Sequence, residues 1–411
     1  MSLIAPFRAL RPAPGRAADV IAPPYDVLSS EEARVRAQGR PWSFLHVSKP
    51  EIDLPAETDP HADEVYAKAR ENLDRMVASG VIARDAEPSL YAYRLTAGGH
   101  AQLGLVAGAS VAAYDTDRIR KHELTRPDKE DDRVRQIEAV QAQTGPVLLA
   151  YPPAARVDAM LAAVASGTPD ADAVADDGVR HTLWRIADAS AIAELTAAFE
   201  ALPSLYIADG HHRSAAASRV AAARRTAGCG PDDPAQRFLV VAFPHHSLRI
   251  LPYNRLVTDL RDRTPAEFLA ALGVAFDVTP SASAVEPAVP ATFGLYVDGR
   301  WYRLALKPAL ASPADPVERL DVSLLSAHLL EPLLDIRDAR RDQRIDFSGG
   351  ARGVAELERR VDSGEMACAF SMHPTPLDAL MRVADAGRIM PPKSTWFEPK
   401  LADGLVSLPI D

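Results

Sequence analysis

Residues Leu205 to Ala208 form an apolar strand that runs without a spacer into Asp209, Gly210, His211, His212 and Arg213, and an alanine-rich helix follows. These residue types, in this order, suit an anion site. Gly210 permits a tight turn, the following helix offers its positive end, and Arg213 supplies a fork that fits phosphate or carboxylate oxygens. Asp209 is placed to hold a metal ion beside them. Strand ends in α/β sheets are also where ligands collect.

A second cluster is Arg120-Lys121-His122-Glu123-Leu124-Thr125-Arg126, followed by Pro127 and an acidic run. Helix starting explains much of it. Thr125 reads as an N-cap, Pro127 lies in the first turn, and Asp128, Glu130, Asp131 and Asp132 suit the positive end of a helix. His122, Glu123 and Arg126 precede the helix, where Glu123 can serve as a general base and Arg126 can hold phosphate. A third cluster, Met390-Pro391-Pro392-Lys393-Ser394-Thr395-Trp396-Phe397-Glu398-Pro399-Lys400, offers two lysines and two hydroxyls on a proline-stiffened backbone. It is not a P-loop, because prolines stand where phosphate-cradling glycines would have to be.

Several common motifs are absent. The sequence has no Gly-x-Gly-x-x-Gly after a strand, Gly-x-Ser-x-Gly elbow, His-Glu-x-x-His or paired Cys-x-x-Cys, which removes the usual dinucleotide, lipase, zincin and zinc-ribbon readings. The pairs His211/His212 and His245/His246 are poor metal pairs if they lie on strands, where neighbours point to opposite faces.

The 411 residues, 47% of them hydrophobic, are enough for more than one core. A formal net charge of −10 argues against nucleic acid and anionic lipid as partners and favours small-molecule chemistry. Two distant cysteines imply a reducing compartment, and the absence of a signal-peptide core or a membrane-length apolar run implies a soluble cytoplasmic protein.

Thirty-four prolines and twenty-two glycines favour short elements joined by defined turns. Three segments are expected. Residues 1–85 carry the Pro23-Pro24-Tyr25-Asp26-Val27 motif, a helix capped by Ser29 or Ser30, and a helix over 61–79. Residues 86–275 alternate strands (90–95, 103–107, 147–151, 205–208, 238–243) with helices (127–143, 189–200, 213–227), which reads as α/β. Residues 276–411 begin with a hairpin of 293–297 and 301–306 across Asp298-Gly299, then continue with helices near 321–333 and 353–362 and a strand at 366–371.

Pro23-Pro24-Tyr25-Asp26-Val27, Ser43-Phe44-Leu45-His46-Val47, Lys121-His122-Glu123-Leu124-Thr125-Arg126, Ala208-Asp209-Gly210-His211-His212-Arg213, Leu251-Pro252-Tyr253-Asn254-Arg255 and Met390-Pro391-Pro392-Lys393-Ser394-Thr395 occur in that order. Together they resemble the prokaryotic family of unknown function numbered 1015. The Asp-Gly-His-His-Arg element is more distantly similar to the nucleotide-binding core of ParB-like proteins and free serine kinases of the SerK type.

That similarity implies a mixed α/β (α+β) fold. A ParB/SerK-like central domain would bind the nucleotide, and the N- and C-terminal segments would complete one cleft. It further implies Mg²⁺-dependent phosphoryl transfer from a nucleotide, ATP or ADP, to a small hydroxylated metabolite, free L-serine first. Asp209 would ligate Mg²⁺, while His211, His212 and Arg213 would stabilise phosphate charge beside Gly210. Glu123 would act on the hydroxyl, although Asp26 and Glu130 also precede the loop. Arg126, Lys393, Ser394, Thr395 and Lys400 would neutralise nucleotide or product, and Tyr25, Asp26, His122 and Asn254 are further cleft residues. The alternatives are a ParB-like nucleotide-binding regulator and a phosphatase acting on phosphoserine or a related ester.

Overall fold

The computed structural model describes residues 2–411. The chain divides into two compact units, 1–248 with 399–411, and 249–398. Segments 1–85 and 86–248 therefore share one unit. Pairing across them is the reason: Ile4 pairs with Ala109, and Phe7 exchanges backbone hydrogen bonds with Ser89. The terminal residues join the same unit, since Leu408 pairs with Gln143 and Asp403 bridges Ala22.

The first unit is built on a nine-stranded sheet. In chain order its strands are β1 (Ile4–Ala5), β2 (Leu90–Ala97), β3 (His100–Ser110), β4 (Ile119–Arg120), β5 (Val147–Tyr151), β6 (Ala171–Val174), β7 (Arg180–Ile186), β8 (Leu205–Asp209) and β9 (Arg237–Pro244). Their spatial order is β4-β8-β5-β9-β3-β2-β7-β6, with β1 paired to β3. The sheet is mixed. Only β8 with β4 and β9 with β5 run parallel, while the remaining pairs are antiparallel.

Apolar residues on these strands make one core, including Leu105, Leu149, Ile207, Phe238 and Val240 at 1% exposure or less. Each such side chain contributes about 1.5–3 kcal/mol by leaving water. Three helices matter for the site: α1 (Asp63–Ala78), α2 (Pro127–Val140) and α3 (His211–Thr226). Proline at the start and acidic residues in the first turn of α2 agree with the reading of its start, although the helix is entered from Arg126, with no side-chain cap.

The second unit holds a six-stranded, wholly antiparallel sheet, β10 (Tyr253–Val257), β11 (Phe276–Ser281), β12 (Thr292–Val297), β13 (Arg300–Leu306), β14 (Ile345–Gly349) and β15 (Cys368–Met372), in the order β11-β13-β12-β15-β10-β14. The β12–β13 hairpin turns at Asp298-Gly299, both at positive φ. Among the described residues, no helix is long and apolar enough to cross a membrane.

Candidate active site

Strand β8 is irregular at its end. Its register against β5 shifts between Ile207 and Asp209, and such a bulge re-aims the side chain that follows it. Gly210 then sits at φ +100°, and a Cβ there would lie 3.3 Å from Val147, so both conformation and space call for glycine. His211 and His212 open α3 instead of continuing the strand.

The three side chains leaving this turn go different ways. The buried ring of His211 meets His122 edge-on at 4.4 Å, and its Nε2 accepts the backbone N–H of His122 at 3.4 Å. Burial, followed by neighbouring His122, holds its pKa well below the ordinary imidazole value. The neutral ring therefore carries its proton on Nδ1, which faces Glu123 Oε2 at 3.5 Å. His122 is likewise neutral, pushed down to about 4 by burial, and its buried Nδ1 has no hydrogen-bond partner. His212 Nε2 accepts the backbone N–H of Arg126 at 3.1 Å and thereby ties α3 to the start of α2. The Arg126 side chain itself points away, pairing with Asp128 at 2.8 Å while 70% exposed.

Asp209 pairs with Lys400 at 3.2 Å. Burial pushes its carboxyl up, but the Lys400 ammonium and the Arg213 guanidinium outweigh that and hold it well below the usual carboxylate range. Its side chain keeps 35% exposure. Among the described residues no group of three or more His, Cys, Asp or Glu side chains is placed to hold a metal ion. Asp209 would be the single protein carboxylate offered to a Mg²⁺ ion here, with phosphate and water needed to complete its shell.

Arg213 is 10% exposed and donates to Pro146 O at 2.6 Å and to Asp26 Oδ2 at 2.8 Å. Its charge faces the ring of Tyr25 at 5.7 Å, and Arg133 stacks on that ring at 3.8 Å. The Pro23-Pro24-Tyr25-Asp26-Val27 motif, α2 and the Asp-Gly-His-His-Arg turn therefore converge on one place. The terminal segment completes it. Asp403 N–H donates to Ala22 O at 2.9 Å and Ala22 N–H to Asp403 O at 3.1 Å, and Asp403 lines the same cavity as Tyr25.

Tyr25, Arg133, Gln136, Gly145, Arg213 and Asp403 line a small cavity of about 30 Å³. Asp403 is 1% exposed, and neither of its oxygens has a well-formed hydrogen bond. Burial pushes its pKa up to about 7 against the pull of Arg213.

Of the other expected site residues, Lys393, Ser394, Thr395 and Asn254 belong to the second unit. Ser394 is buried, with its hydroxyl donating to Pro391 O at 2.6 Å, and Asn254 Oδ1 accepts the Met372 N–H at 3.0 Å. Lys393 has φ +56°, and its carbonyl accepts from the buried guanidinium of Arg255 at 3.0 Å.

Arg133, Gly145 and Asp403 escaped the sequence reading. In the sequence Arg133 only closes the charged run after Pro127, and Asp403-Gly404 offers only a bare Asp-Gly signal.

A family model described as "Protein of unknown function (DUF1015)" matches residues 4–323. The chain belongs to this family. The matched region contains the Tyr25, Glu123 and Asp209 motifs and stops before Lys400 and Asp403. No curated protein matches the chain.

Among solved structures, a conserved hypothetical protein from Pyrococcus furiosus is 14% identical, with 73% of this chain and 93% of that one covered and a TM-score of 0.33. A free serine kinase in complex with AMP is 14% identical, covering 72% and 86%, with a TM-score of 0.32. SbnI with C-terminal truncation from Staphylococcus aureus is 11% identical, covering 74% and 87%, with a TM-score of 0.37.

Proposed function

We propose that the protein transfers a phosphoryl group from a nucleotide, ATP or ADP, to a small hydroxylated metabolite, with free L-serine the first acceptor to test. The observation that carries this reading is the ionised, partly open Asp209 at the head of a sixteen-residue helix, with Lys400 and Arg213 beside it. Phosphoryl transfer needs little covalent chemistry from the protein. Most of its barrier falls through positioning and neutralisation of charge, which a helix N-terminus and clustered cations supply.

With ATP as donor, the bond between the γ-phosphorus and the β,γ-bridging oxygen breaks, and a bond from phosphorus to the acceptor oxygen forms. Glu123 takes the hydroxyl proton, and ADP leaves. His211, neutral and accepting the His122 backbone N–H, faces Glu123 with its Nδ1 at 3.5 Å and would help to orient that carboxylate. Asp209 would hold Mg²⁺, which when bound neutralises phosphate charge. Lys400 and Arg213 add positive charge on the same side.

The test is mass-spectrometric detection of phosphoserine after incubating the full chain with Mg²⁺, L-serine and ATP or ADP. Glu123→Gln is expected to abolish product. Product retained in Glu123→Gln but lost in Asp26→Asn or Glu130→Gln would assign the base to another carboxylate. No product in any tube, with any nucleotide, contradicts the reading.

A further inference from the structure

The second unit contains a cavity of about 210 Å³, lined entirely by its own residues. The apolar part of the wall includes Pro290, Pro316, Leu320, Pro374 and Ala379. Pro374, Thr375 and Pro376 enter the helix Leu377–Asp385, and Thr375 Oγ1 anchors them by donating to Ser394 O at 2.8 Å. An apolar cavity of about 150 Å³ is enough to hold benzene. This one therefore has room for a single substituted ring or a small bicycle.

The polar groups on the wall are unequal. Those that donate are engaged: Thr375 with Ser394 O, Arg319 Nε and Nη2 with Pro313 O at 3.1 and 2.9 Å, and Arg382 with Asp378 at 2.5 Å. Those that accept keep capacity. Asp321 takes one hydrogen bond, from the Ala291 N–H at 2.9 Å, and among the described residues no cation pairs with it. An ionised carboxylate offers about four lone-pair sites, so acceptor capacity remains. Burial pushes its pKa up to about 6, with only the Ala291 N–H pulling the other way. Burial also keeps His373 neutral, and its hydrogen bond to the Pro374 carbonyl uses the one ring N–H, so the other nitrogen is an acceptor.

A ligand suited to this wall is one that donates. A carboxylate or phosphate would meet Asp321 and find the donors already in use. A cation would meet the guanidinium of Arg319, which among the described residues has no carboxylate partner. A neutral ring with an N–H avoids both conflicts, and its flat apolar faces match the prolines.

We infer that this cavity is a further ligand site, taking a small, neutral nitrogen heterocycle whose N–H donates to Asp321 and whose ring lies against the proline wall. The inference is independent of the proposed function, whose residues Glu123, Asp209, His211, Arg213 and Lys400 all belong to the first unit.

Ligand-observed NMR titration of the full chain tests it with three probes of similar size: benzimidazole, 1-methylbenzimidazole (N–H blocked) and benzamidine (a cation). Benzimidazole is expected to bind, and the other two roughly tenfold more weakly or not at all, the cost of one good polar contact. Asp321→Asn keeps an acceptor for the Ala291 N–H but replaces the other oxygen with a donor, so benzimidazole binding is expected to fall roughly tenfold. Ala379→Leu places a larger side chain in the cavity and is expected to lose that binding. It carries the test if Asp321→Asn does not fold.

Failure of wild type to bind benzimidazole overturns the inference. So does binding of 1-methylbenzimidazole or benzamidine as tight as that of benzimidazole, since neither would then depend on a neutral N–H. Benzimidazole binding unchanged in folded Asp321→Asn or Ala379→Leu overturns it as well, by placing the ring elsewhere.

Discussion

Two regions rich in anion-binding residue types, one in each unit, use them in opposite ways. In the second unit, Ser394 Oγ donates to Pro391 O, Ser394 O accepts from Thr375 Oγ1 at 2.8 Å, and Lys393 O accepts from Arg255 at 3.0 Å. That segment's polar groups are engaged in holding its own bend. In the first unit, Arg213 Nε and His122 Nδ1 are buried with no partner, the Asp403 carboxylate has no well-formed hydrogen bond, and Asp209 is held ionised while partly open. A ligand site differs from a polar turn in what is left unsatisfied, because folding alone selects against buried unpaired groups.

The substitution expected to sharpen that contrast most is Asp209→Asn. It keeps shape and removes the one ionised carboxylate at the strand end, so turnover is expected to fall by about 10²–10³, as when one charge-positioning group is lost. A circular dichroism spectrum matching wild type would show that the loss is not unfolding.

Next is Arg213→Lys. Lysine keeps the charge but cannot serve Pro146 O, Asp26 and the cleft together, as the guanidinium fork does. A stability loss of about 1–3 kcal/mol in urea denaturation is expected, below the full cost of breaking a buried pair because Asp26 is 41% exposed. An unchanged midpoint would mean that Arg213 does not hold the Tyr25 motif in place.

The two aspartates of the first unit also predict opposite pH effects. The folded pKa of Asp403, about 7, lies above its unfolded value of about 3.9, so its contribution is fully present below about pH 4 and is lost as pH rises through about 7. Asp209 is shifted the other way. Its contribution is present above about pH 4 and is lost as pH falls toward its depressed folded value. Between about pH 5 and pH 8, wild type is therefore expected to lose more stability than Asp403→Asn. Parallel curves for the two proteins would contradict the account of Asp403.

The smallest effect belongs to the second unit. Ser394→Ala removes one buried hydrogen bond and is expected to cost about 1 kcal/mol with no change in kcat or KM. A large activity loss there would erase the contrast between the two regions.

Much of this was legible in the sequence. Strand and helix positions in 86–248 follow from apolar runs and punctuation, and the Asp209–Arg213 turn stood out because polar residues directly follow a buried strand. Sheet direction did not, because alternation of strands and helices looks the same whether β5 and β8 pair parallel or, as they do, antiparallel. The cleft was hidden for a related reason. Tyr25, Arg133, Gly145 and Asp403 are far apart in sequence, and Asp403 is brought home only by its backbone bridge to Ala22.

The central claim is most directly tested by phosphorus NMR of the full chain with Mg²⁺, each of ATP, ADP and CTP, and either L-serine or O-phosphoserine, beside Asp209→Asn. The account predicts a phosphoserine resonance that grows with wild type and is lost with Asp209→Asn. Free phosphate released from phosphoserine, or spectra unchanged in every tube, would contradict it, the first pointing to a phosphatase and the second to a nucleotide-binding regulator or a different acceptor.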